Sequence, residues 1–142
     1  MQKSASIEQL STDVTFEHDR NFYVYTLTRA SREAVDTFIN HCKPIYQSHP
    51  LEKPLFLMID SSPTNTSSMS PYFKARIQEL PVIAKSRNLQ VFVAVVLPRH
   101  IMVQVVMFFL QKLPVSKGRS HVRTFFDRAT ALRWLETNDQ RS

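Results

Sequence analysis

One glycine, Gly118, stands among 142 residues. Phosphate-cradling loops need glycines where the backbone must approach an anion, so neither the P-loop nor the dinucleotide-binding fingerprint can be built. A glycine-flanked nucleophile elbow is missing as well. Cysteine is equally scarce, with Cys42 alone. A lone cysteine excludes an intramolecular disulfide framework and fits a reducing compartment. Histidines 18, 41, 49, 100 and 121 show no metal-ligand spacing, so we expect no metal and no cofactor. Long apolar runs are also absent. The most apolar stretch, Leu89 to Leu113, is broken by "PRH" at 98–100, and neither half reaches the roughly 20 residues that span a bilayer. The first residues, "MQKSASIEQLST", lack the apolar stretch of a signal peptide. The expectation is a cytoplasmic protein without a membrane span.

The charge is +6, but the bases are spread along the chain. The one loose cluster is "KGRSHVR", residues 117–123. An electrostatic footprint needs clustering as well as excess, so the sequence argues against a nucleic-acid partner.

What is present is alternation of elements. "VTFEH" (14–18) and "FYVYTLT" (22–28) are β-rich runs joined by the turn-like "DRN" and read as a hairpin. Ser31 is placed to cap a helix with Glu33 in its first turn. Ala34, Val35, Phe38, Ile39, Cys42, Ile45 and Tyr46 form its core stripe, and Pro44 should kink or loosen its last turn. "PLFLMID" (54–60) and "LQVFVAVVLP" (89–98) have the continuous apolar character of strands buried on both faces. Ser70-Pro71 is a helix start, and Phe73, Ile77, Leu80 and Ala84 continue that helix, with Pro81 a local fault. "HIMVQVVMFFLQKL" (100–113) reads as a third helix and "HVRTFFD" (121–127) as a strand. Asp127 caps a last helix whose inward face carries Ala131, Leu132, Trp134 and Leu135. The order ββαβαβαβα predicts an α/β fold: a mixed, mostly parallel sheet of about five strands, with four helices packed mainly on one face. The chain reads as one domain over 1–142, with residues 1–12 flexible or irregular and 138–142 frayed.

This order resembles the STAS superfamily, the anti-sigma-factor antagonist fold, in its SpoIIAA-like branch, over nearly the whole chain. The resemblance rests on the hairpin–helix–buried strand start, on a buried strand ending in Asp60 before a serine-rich loop and a helix, and on the closing "VRTFFDRATALRWLE". It implies a regulatory module in which a serine near the helix after the central strand is phosphorylated by a partner kinase. By place, Ser67, Ser68 and Ser70 match. The family motif there is Asp-Ser-Ser-Gly. This chain has Asp60-Ser61-Ser62-Pro63, earlier than expected, and "SSMSP" at 67–71 without the acid or the glycine.

Ligands favour the carboxyl ends of parallel strands. Those ends deliver Asp60, Ser61, Ser62, Asn65, Ser67, Ser68 and Ser70 as an interaction or switch loop, with Arg99, His100 and Asp127 on the same edge. Residues of these types at these positions also serve as helix caps and turn formers. Cys42 and His41 are adjacent on a helix and do not face each other, so no catalytic nucleophile is assigned. In the 100–113 segment, Met102, Val105, Met107, Phe108 and Phe109 exceed what a one-sided stripe needs, and would cover a homodimer contact, a partner groove or an apolar pocket. The leading expectation is a non-enzymatic regulatory or protein-interaction module with a protein partner. A carrier or sensor of a small apolar or lipid-like ligand is the alternative, and an enzyme of unrecognised type comes third.

Overall fold

A computed structural model describes residues 6–29, 31–64, 71–98, 116–117 and 119–141. Of the expected site residues, Asn65, Ser67, Ser68, Ser70, Arg99 and His100 lie outside the described residues, as does the whole 100–113 segment with Met102, Val105, Met107, Phe108 and Phe109.

The described elements run β1 (Ser6–Ser11), β2 (Val14–Asp19), β3 (Phe22–Leu27), α1 (Arg32–Ser48), β4 (Leu55–Asp60), α2 (Pro71–Ile77), α3 (Glu79–Arg87), β5 (Val91–Val96), β6 (Ser116–Lys117), β7 (Ser120–Phe125) and α4 (Arg128–Gln140). The strands form one mixed sheet in the order β1-β2-β3-β4-β5-β7-β6. The α/β class is as expected. The details differ from the expected order. The sheet has seven described strands rather than about five. It is not mostly parallel: β3–β4, β4–β5 and β5–β7 are parallel, while β1–β2, β2–β3 and β6–β7 are antiparallel.

The N-terminal expectation is corrected by β1, which pairs with β2 from Ser6 to Ser11, with a register shift between Gln9 and Ser11. Its side chains are mostly exposed, so apolar alternation could not announce it. The C-terminal helix also runs further than expected, to Gln140, where the Asn138 amide donates to the Trp134 carbonyl at 2.9 Å.

Three of the four described helices share one face, as expected of a layout mainly on one side. Helices α1, α2 and α3 pack on one face over Tyr25, Leu27, Leu57, Ile59, Val93 and Val95. Helix α4 packs on the opposite face over Phe56, Met58, Phe92 and Ala94. Strand alternation delivers this arrangement, because successive residues of β4 and β5 point to opposite faces and all twelve are buried.

The two prolines act differently. Pro44 sits inside α1, which continues to Ser48; Pro44 and Asn40 are both exposed, so water can satisfy the Asn40 carbonyl that loses its helix donor. Pro81 lies in the first turn of α3, where a missing N–H costs little, and the expected helix breaks just before it at Gln78. With so little glycine, left-handed backbone falls to other residues. Asn88 closes α3 at φ 56, and Arg20 turns the β2–β3 hairpin at φ 57.

Salt bridges hold the three-helix layer together. Arg76 reaches Asp36 of α1 at 2.7 Å and Glu79 at 2.8 Å, and Lys43 reaches Glu79 at 3.0 Å. The Tyr72 hydroxyl donates to Asp36. Hydrogen bonding from Lys43, followed by the Arg76 charge, holds the Glu79 carboxyl below its usual range.

Candidate functional site

The carboxyl edge of the parallel strands is laid out by register. Thr26 of β3 pairs with Asp60 of β4, Asp60 with Val96 of β5, and Val96 with Phe125 of β7. Asp60 shares its face with Phe56 and Met58, because strand side chains repeat every second residue, so it points toward α4. It is 3% exposed, which makes it a carboxylate that must find partners.

It finds them on both oxygens. Oδ1 accepts from the Ser62 backbone N–H at 3.0 Å and from the Ser62 hydroxyl at 2.6 Å. This i to i+2 pattern is an aspartate-led turn, which needs no glycine. Oδ2 accepts from Arg128 Nη1 at 3.2 Å. The same guanidinium donates to Thr26 Oγ1 at 3.4 Å and to Glu17 Oε1 at 3.2 Å. Ser61 closes the other flank, its N–H and its hydroxyl both donating to the Val96 carbonyl at 2.8 and 2.9 Å. Thr64 is buried, and its N–H donates to the Ser61 carbonyl at 3.0 Å. Ser62 and Pro63 are exposed beyond this anchor.

Asp127 stands at the same edge as the N-cap of α4, accepting from the Thr130 N–H at 2.8 Å and the Thr130 hydroxyl at 2.9 Å. Capping, the structural role open to it from the sequence, is thus filled. Its neighbour Arg128 was not singled out from the sequence, nor were Glu17 and Thr26. A signal for Arg128 existed. A cation in the first turn of a helix is disfavoured by the helix dipole, so its presence there points to an external partner. Asp60 and Glu17 supply that partner.

Neither family models nor curated proteins match this chain.

Asp60 is engaged on both oxygens and ion-paired, so its carboxylate is occupied. Away from this edge, Cys42 is 1% exposed, and burial pushes its thiol up to about 12, partly offset by its hydrogen bond with Tyr25. A thiol in that state is almost wholly protonated near neutral pH. His41 does not address Cys42; its Nδ1 lies 2.7 Å from the Tyr25 hydroxyl, whose own pKa is raised chiefly by burial. Among the described residues, no group of three or more His, Cys, Asp or Glu side chains is placed to hold a metal ion. Among them, too, no helix is long and apolar enough to cross a membrane.

Proposed function

We propose that this chain is a non-enzymatic protein-interaction module of the STAS-like kind, working through the carboxyl edge of its sheet. The observation that carries the reading is the pairing of buried Asp60 with Ser62 and Arg128. A buried carboxylate with both oxygens engaged is an anchor. It fixes where the segment after β4 leaves the sheet, and it presents Ser62 and Pro63 outward from a rigid base. A turn fixed in place at residues 60–64 meets a partner with a smaller ordering cost.

The STAS-like part is supported by the hairpin β2–β3 followed by α1 and the buried strand β4, by Asp60 at that strand's end, and by the Asp127-capped closing helix. The extra strand β1 and the placement of α4 on the opposite face from α1 are additions to the expected pattern. The sequence-derived homodimer belongs to the same proposal and is tested by light scattering at micromolar concentration.

The test of the working edge is retention of host proteins on the immobilised chain. Ser62→Arg adds bulk and charge at the proposed surface, and Ser86→Arg does the same on exposed α3. Loss of the retained partner in the first variant alone supports the reading. Equal retention by both variants overturns it.

A further inference from the structure

The opposite, amino edge of the sheet carries a second constellation on the α4 face. Phe22, Phe56, Phe92 and His121 lie in one register row across β3, β4, β5 and β7. The Phe56 and Phe92 rings stack at 5.4 Å, and His121 stacks on Phe92 at 4.9 Å with an interplanar angle of 18°. Trp134 of α4 stands edge-on to Phe92 at 6.0 Å and against Phe125 at 5.8 Å. Phe22 and Phe56 are buried, whereas His121 and Trp134 are only half-buried. The row therefore ends in a partly open aromatic shelf between α4 and the β6–β7 ribbon.

The rim of that shelf is basic. From Arg119 to Phe125 the chain holds Arg119 and Arg123 and no acid. Arg119 and Arg123 are exposed, and the Arg123 guanidinium lies 5.7 Å from the Phe125 ring. Arg119 spends one nitrogen on the Asn88 carbonyl at 3.2 Å. Exposed Arg141 lies seven positions after Trp134 and so projects from the same side of the helix line. The acids of α4 are drawn the other way: Glu136 meets Arg20 at 3.2 Å and Asp139 meets Asn21 at 3.3 Å, both at the β2–β3 turn. The "KGRSHVR" segment is too loose along the sequence to count as a basic run. The fold places its His121 and Arg123 on β7 beside aromatic rings.

We propose that this shelf binds single-stranded nucleic acid, a base stacking on His121 and Trp134 while Arg123 and Arg141 meet the flanking phosphates. Stacking on aromatic faces beside a cationic groove is how single strands are held without sequence reading. A duplex hides its base faces and would use only the charges.

Trp134 is the only tryptophan, so its fluorescence reads the shelf directly. The probe is a thymidine oligonucleotide of about 20 nucleotides, titrated into the full chain at about 50 mM salt. The expected result is saturable quenching, stronger than with a duplex of equal length. Arg123→Glu should weaken binding about tenfold or more and reduce the salt dependence by about one phosphate contact. Trp134→Phe, checked for folding by circular dichroism, should weaken binding measured by the anisotropy of a labelled oligonucleotide. Absence of quenching overturns the proposal. So does equal quenching by duplex or by polyglutamate, which would mark a general polyanion surface or an acidic protein partner. Unchanged affinity in Arg123→Glu overturns it too.

Discussion

Arg128 Nη1 lies 3.2 Å from Asp60 Oδ2, across 68 residues of sequence. The contact joins the first turn of α4 to the end of β4, and it neutralises a carboxylate that is almost entirely removed from water. The candidate site depends on this tie more than on any single loop residue.

Removing the cation should therefore cost more than removing an exposed ion-pair partner. Arg128→Ala is expected to lower stability by about 1–3 kcal/mol, since it leaves a buried acceptor short of a charged donor. Glu17→Gln, which breaks only the outer arm of the same guanidinium, should cost under about 1 kcal/mol. Urea denaturation midpoints with unchanged slopes separate the two. Equal effects would show that the buried arm is no more important than the surface one.

Cap residues supply an independent check on the helices. Ser31 accepts from the Ala34 N–H at 3.1 Å. Ser31→Ala should lower stability by about 1 kcal/mol and Ser31→Asp should restore most of it. Thermal melts monitored by circular dichroism decide the point. No change in Ser31→Ala would mean that the amide is satisfied by water.

Much of this was legible in the sequence because it is local. Ser31 and Asp127 announce their helices by residue type and position, and the apolar runs of β4 and β5 announce strands covered on both faces. Strand β1 was not legible, since "SIEQLS" has neither alternating burial nor β-branched enrichment beyond Ile7. The break before Pro81 was visible as a fault, but its outcome depended on whether Gln78 could start a new helix. At this edge, the positions of Asp60, Ser61 and Ser62 follow from the strand end. Arg128, Glu17 and Thr26 were missed because only tertiary pairing brings residues that distant together.

Stability should fall as the solution is made acidic, in two steps with one sign. His49 Nε2 donates to the Pro54 carbonyl at 3.1 Å, and burial is the main cause that lowers its pKa. The unfolded chain binds that proton first, so the contribution of neutral His49 is present above its ordinary value near 6.5 and is lost as pH falls through the lower folded value. Glu79, also depressed, contributes above its ordinary value near 4.5 and loses that contribution as pH falls through its folded value. Melting temperatures from pH 8 to pH 4 should show the first step, and His49→Gln should flatten it. A His49→Gln profile parallel to wild type would remove His49 as the cause.

The buried phenol offers a test of the α1 seam. The Tyr25 side chain is inaccessible, and its hydroxyl meets His41 Nδ1 at 2.7 Å. Tyr25→Phe should cost about 1 kcal/mol, a typical net value for one buried hydrogen bond. Urea denaturation midpoints with unchanged slopes should show that loss directly. An unchanged midpoint would mean that the hydroxyl contributes nothing net to the seam.

The central claim is that the carboxyl edge beyond Asp60 is a working surface. A photo-crosslinking residue at Ser62, compared with the same residue at Ser86 in host extract, tests it most directly. The account predicts a discrete heavier adduct from position 62 that is absent from position 86 and is suppressed by excess unlabelled chain. Adducts of equal yield from both positions, or none from position 62, would contradict it.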